Sequence, residues 1–133
     1  RVGPSLLQDV VVEDINIGIL LGTLNKRITV LLDREHTIGH SYLLPLKTDP
    51  TIERLAEIFR YQVIPLLQEY FYDDYERIHL ALGDNQKPDD STCFIIKKID
   101  ADTMFGNSQR NFPEYYEIND QAFQRIESYA FLR

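Results

Sequence analysis

Residues 17–34 read IGILLGTLNKRITVLLDR. Ile17, Leu20, Leu21, Leu24, Ile28, Leu31 and Leu32 recur in steps of three and four, which gathers them into one apolar stripe on a helix. The spacing predicts an amphipathic helix from 17 to about 34, with Asp14 and Asn16 as candidate caps. Gly18 and Gly22 weaken such a helix by about 1 kcal/mol each relative to Ala. Just upstream, Val10-Val11-Val12 fits either a short strand or the approach to the helix.

Beyond this helix, residues 36–46 (HTIGHSYLLPL) read as a turn and a short helical piece, interrupted at Pro45. Asp49-Pro50 offers a cap followed by a first-turn proline. The helix it opens carries Ile52, Leu55, Phe59 and Val63 on one face. Pro65 lacks a backbone donor, so a kink or break is expected near Val63. Leu66, Leu67, Tyr70 and Phe71 carry the next packed face. Asp73 and Glu76 have capping-box spacing, and the helix they open, 75–82, stops at Gly83. Leu24, Leu31, Leu67 and Phe71 are the expected central packing residues.

After Gly83 the pattern changes. Residues 84–91 (DNQKPDDS) form a turn-rich linker. Residues 93–99 read as a strand, 101–113 as a long loop and 115–118 as a second, antiparallel strand. Asp120 is the expected cap of a final helix in which Phe123, Ile126 and Ala130 share a face. The expected class is mainly α, and α+β overall. A four-helix unit fills 1–84, and a β-hairpin-plus-helix extension fills 85–133.

Composition narrows the function. Of 133 residues, 44% are apolar and 26% charged, which is ordinary for a globular domain long enough to bury a core. No apolar run approaches the roughly 20 residues that span a bilayer, and no membrane partner is expected. The start, RVGPSLLQDVVVED, lacks the basic and apolar regions of a secretory signal. It also lacks an initiator Met, which fits an excised fragment. A single cysteine, Cys93, agrees with a reducing, cytoplasmic setting. The net charge of -7 argues against a general DNA-binding surface.

Several chemistries lack their residues. Neither GxxxxGK[ST] nor GxGxxG occurs, so no backbone cradle for a triphosphate or dinucleotide is expected. His36 and His40 stand four apart, but HTIGH lacks the glutamate of a zinc-protease helix, and no metal site is expected. Asp73-Asp74 reads as a helix-start pair meeting the positive end of the dipole. Cys93, in an apolar strand with no nearby base in the sequence, reads as a buried bystander. No residue is assigned a catalytic role.

Positive charge is concentrated between 26 and 41. Arg27 and Arg34, seven apart, are expected on nearly one side, at the rim of the apolar stripe. The polar turn Gly39-His40-Ser41 follows. Glycine lets a ligand approach the backbone, and amides, an imidazole and a hydroxyl suit phosphate or a base edge. From spacing alone a solvated helix rim and turn accounts for these residues.

The words of the chain go further. LNKRI, LLDREH, IGHSY, IPLLQEYFYDD and LGD occur in that order between Leu24 and Asp84. Together they resemble the C-terminal lid of the McrB-like AAA+ GTPases, the motor subunits of 5-methylcytosine-specific restriction systems. The resemblance implies an AAA+-type helical lid over 1–84 that follows a nucleotide-binding α/β core. It implies GTP (or ATP) and Mg in the parent protein. It implies neighbouring copies in a ring, a separate nuclease subunit, and methylated DNA engaged through other parts of the parent. It places Gly39, His40 and Ser41 near nucleotide or an adjacent subunit, and Arg27 and Arg34, at the rim of the helix, are expected to serve the same contacts. Residues 85–133 carry no family word. Lacking a phosphate loop, this chain alone is expected not to hydrolyse nucleotide, although the parent does. Two other functions fit the same features: the lid of a related AAA+ ATPase with another DNA or remodelling task, and a protein-interaction module.

Overall fold

The computed structural model describes residues 4–98, 104–106 and 115–133. Most of the expected loop at 101–113, and the expected end of the first hairpin strand at residue 99, lie outside them. A 3₁₀ turn, Pro4–Leu7, leads into a tight antiparallel pair, β1 (Val11–Val12) and β2 (Ile15–Asn16), with Val11 opposite Asn16 and Val12 opposite Ile15. The valine run is therefore a strand. Its partner feeds directly into helix α1 (Ile17–Leu31), which is capped by the Asn16 carboxamide accepting from the amide of Ile19 at 3.0 Å.

Helix α1 buries Ile17, Leu20, Leu21, Leu24 and Ile28. It ends at Leu31, three residues before the expected limit. Asp33 ends it by accepting from the amides of Glu35 and His36, both at 2.9 Å, so the chain turns instead of continuing the helix. Leu31 is consequently only partly buried. Two 3₁₀ turns follow, His40–Tyr42 and Leu44–Lys47.

The next long helix runs in three pieces: α2 (Ile52–Ile58), a π-helical turn (Phe59–Val63) and α3 (Ile64–Tyr70). Its cap is Thr51, whose hydroxyl accepts from the amide of Arg54 at 3.2 Å, and not Asp49. Asp49 instead accepts from that same hydroxyl at 3.0 Å. Pro65 neither breaks nor sharply ends the helix. The amide of Ile64 reaches back five residues to Phe59, and this wide turn makes room for a ring that would clash with the carbonyl four residues earlier.

Helix α4 (Tyr75–Leu82) is capped by Asp74, one residue after the expected Asp73. Asp73 adopts a left-handed φ of 59° and so cannot take the extended backbone of a cap. Gly83 ends α4 with φ 75°. A Cβ there would stand 2.8 Å from the Arg27 guanidinium and 3.1 Å from the Phe131 carbonyl, so both conformation and space demand glycine.

Strands β3 (Ile95–Lys98) and β4 (Tyr115–Ile118) pair antiparallel, with Ile95 opposite Ile118 and Lys98 opposite Tyr115. The final segment is not one helix. Two 3₁₀ stretches, Asp120–Gln124 and Ile126–Leu132, are broken by extended backbone at Arg125. Asp120 is not a cap. It accepts from the Arg60 guanidinium at 2.6 Å, which pins this segment to the π turn. The face actually buried is Ala122, Phe123, Tyr129 and Leu132; Ile126 and Ala130 are only partly covered.

The core is one continuous cluster that draws on both sides of Gly83. At its centre the Phe94 ring lies 5.0 Å from those of Phe123 and Tyr129 and 5.6 Å from that of Phe59. Edge-to-face and offset contacts at this range add to the burial of the rings themselves. Leu24, Leu67 and Phe71 lie at full depth, as expected of central residues. Leu67→Ala should therefore cost about 2–5 kcal/mol, and Leu31→Ala clearly less, in urea-unfolding midpoints of the whole chain.

Candidate functional site

The loop from Asp33 to Gly39 lies against α1 and α3 and is held at each turn. Asn25 does most of the holding. Its carboxamide oxygen accepts from the amide of Ile38 at 2.7 Å, and its NH₂ donates to the Ile38 carbonyl at 2.9 Å. This paired contact copies a strand ladder with a side chain. Tyr70 donates its hydroxyl to the Thr37 carbonyl at 2.9 Å. The His36 ring meets Tyr70 edge-on at 5.2 Å, and its Nδ1 lies 2.9 Å from the Asp33 carboxylate. Ile38 is buried beneath.

The loop and the outer face of α1 enclose an open groove of about 1170 Å³. Lys26, Thr29 and Val30 line it from the helix; Arg34, Gly39 and His40 line it from the loop. Neither Lys26 nor Arg34 makes an ion pair among the described residues, whereas Arg54, Arg60, Arg77 and Lys87 all do. Gly39 has an ordinary extended backbone, φ -70° and ψ 145°, and a Cβ there would meet nothing closer than the Ser41 hydroxyl at 3.7 Å. The fold itself does not require glycine at 39. Ser41 is exposed beside the groove, and His40 is half-buried in its wall.

Arg27 lies elsewhere. With α1 ending at Leu31, the helical spacing to Arg34 no longer holds, and the two arginines part. Arg27 donates to the Phe131 carbonyl at 2.7 Å and to the Ala81 carbonyl at 3.3 Å, tying α1 to the end of α4 and to the C-terminal segment. Burial lowers the pKa of its guanidinium from the ordinary value. Asn25 is the residue that sequence reasoning passed over. The one signal for it was a short amide side chain within a helix, and its partner lies thirteen residues on, beyond the reach of any helical spacing.

A second polar cluster brings one donor atom each from His79, Asp84 and Cys93 within 4.8 Å of one another. Its chemistry does not suit a cation. The Asp84 carboxylate already accepts from the amides of Phe94 (3.1 Å) and Ile95 (3.0 Å) and from the Lys87 ammonium (2.7 Å). The ammonium already supplies the positive charge that a metal would bring to this carboxylate. Burial, reinforced by Asp84, pushes the Cys93 thiol up to about 11, far from the thiolate that binds metal or attacks carbon. Cys93 donates instead to the Asp84 carbonyl at 3.5 Å.

The sequence model of the family described as "McrB, alpha-helical lid domain" matches residues 16–79, from the cap of α1 into α4. Residues 16–79 belong to the McrB lid family. No curated protein matches the chain significantly. The McrB lid thus contains the groove, its Asn25 clamp and the π turn. The β3–β4 hairpin and the C-terminal segment fall after the matched region. No described helix is long and apolar enough to cross a membrane. Because Arg27 satisfies two main-chain carbonyls, Arg27→Ala should destabilise the chain by about 2 kcal/mol. Arg27→Lys, which replaces the two separate terminal nitrogens that reach the two carbonyls with a single ammonium, should recover only part of that loss in the same denaturation assay.

Proposed function

We propose that this chain is the lid-bearing C-terminal part of an AAA+ motor subunit that hydrolyses GTP in a 5-methylcytosine-dependent DNA restriction system. The observation that carries the proposal is the lid-family match over the segment that builds the groove. In this reading residues 1–84 act as the lid, and residues 85–133 are an extension docked on its core. The lid closes over nucleotide held by the rest of the subunit and contacts the neighbouring copy in a ring. A separate nuclease subunit cuts, and other parts of the parent engage methylated DNA.

Gly39, His40, Ser41 and Arg34 form the contacting edge, with unpaired positive charge and a small backbone suited to phosphate oxygens or an acidic neighbour. Arg27 acts at a distance, as the strut that sets α1 against α4. GTP, with Mg, would bring the phosphate charge that this edge faces. The clamped loop suits a lid, because an edge preorganised by Asn25 and Tyr70 loses little entropy on closure.

His40→Ala in the full-length parent should lower nucleotide-dependent assembly or GTP turnover by about tenfold, within the range of coupling between sites. The melting temperature of the present chain should stay nearly unchanged. A sharp loss of stability, with parental activity merely following the amount of folded protein, would make His40 a packing residue and remove this edge from the site.

A further inference from the structure

Among the described residues, the two most exposed large hydrophobic side chains are Tyr72, at 88%, and Val30, at 86%. Val30 lies in the groove. Tyr72 heads the turn between α3 and α4, and both its conformation and its neighbours are unusual. Tyr72 and Asp73 have successive φ angles of 51° and 59°, a left-handed pair without glycine. The turn is nonetheless firmly built. The Asp73 amide donates to the Gln68 carbonyl at 2.9 Å, and the Asp74 amide donates to the Phe71 carbonyl at 2.9 Å. Beneath it Phe71 is fully buried, with the Arg77 guanidinium 5.0 Å from its ring centre. An aromatic ring is thus raised on a firmly bonded turn and left largely open to solvent.

Charge surrounds the two features with opposite signs. Glu69, Asp73 and Glu76 are exposed about Tyr72 and make no ion pair among the described residues. Lys26 and Arg34 flank Val30 and are likewise unpaired. With a net charge of -7, two copies repel at a distance, so any self-contact must rely on a local match of this kind.

We propose that the Tyr72 turn of one copy plugs the Val30 groove of a second copy of this chain. Tyr72 covers Val30, and the acids about Tyr72 face Lys26 and Arg34. Tyrosine and arginine are the side chains that most often dominate such contacts. Plug and groove are different patches, so the contact is head-to-tail and leaves one of each free to continue an assembly. The inference rests on the reading of the groove as a neighbour-contacting edge and adds the identity of its occupant.

The test mixes two chains, both with Cys93→Ser, one carrying Thr29→Cys in the groove and the other Asp73→Cys beside the plug. Under mild oxidation the mixed disulfide should form well ahead of either homodimer. Adding Tyr72→Ala to the Asp73→Cys chain should reduce its yield about tenfold while the circular dichroism melt stays cooperative. A merely statistical distribution, in which the mixed disulfide is no more than double each homodimer, or indifference to Tyr72→Ala, would overturn the plug. A preferred mixed disulfide together with a silent His40→Ala in the parent would support the plug and remove only the nucleotide role of the edge. A lost disulfide together with a clear His40→Ala effect would overturn the plug and leave that role standing.

Discussion

The Asp84 carboxylate, sealed from water with Lys87, is the constraint on which the rest of the structure depends. Both side chains are 0% exposed. Charges removed from water are costly, and they persist inside a protein only when paired and fully hydrogen-bonded. Here the pair is complete. Asp84 accepts from two successive amides at the entry to β3, and Lys87 adds the Thr92 carbonyl at 2.6 Å and the face of Phe94 at 4.1 Å. Burial lowers the Lys87 pKa from its ordinary value, and Asp84 opposes that shift. Immediately before this pair, Gly83 turns left-handed, and Arg27 and Phe131 leave no room there for a side chain. One corner of the chain therefore sets where α4 stops, where the hairpin begins and where the C-terminal segment lies.

From that corner the aromatic centre follows. Phe94, placed by the hydrogen bond its amide donates to Asp84, reaches Phe59 in the π turn and Tyr129 in the last segment. The π turn serves this contact as well as Pro65, since its wider coil brings Phe59 and Arg60 to the side where Phe94 and Asp120 stand. The lid segment and the residues beyond it thus share a core, while the groove on the far side of α1 is left to the clamped loop.

Much of this was legible where a single local force decides the outcome. The apolar stripe of α1, the glycine stop at 83 and the strand at Tyr115–Ile118 follow from periodicity and turn chemistry. Readings failed where two signals competed. Asp49 ahead of a proline resembled a cap, but Thr51 sits one residue before the helix and takes the bond. Asp73 had capping-box spacing, but Asp74 has the backbone for it. The last segment has helical spacing yet forms 3₁₀ turns, because packing of Phe123 and Tyr129 on Phe94 sets its path. At the candidate site, positive charge and the polar turn pointed to Arg27, Arg34, Gly39, His40 and Ser41, of which Arg34, Gly39 and His40 line one groove. The diversion of Arg27 into the fold depends on carbonyls 54 and 104 residues away, which no local pattern reveals. The Asp84–Lys87 pair was hidden for a similar reason: DNQKPDD has the composition of a solvated linker, and only the returning strand buries it.

Urea unfolding of the intact chain and of Asp84→Ala tests the dependence on this corner most directly. Helix content is followed in the far-ultraviolet and tyrosine packing in the near-ultraviolet. The two probes should coincide in the unsubstituted chain. In Asp84→Ala, which leaves Lys87 and two amides without their partner, stability should fall by about 3–5 kcal/mol, with tyrosine packing lost before helix content. An unchanged midpoint with coincident probes in Asp84→Ala would contradict the account.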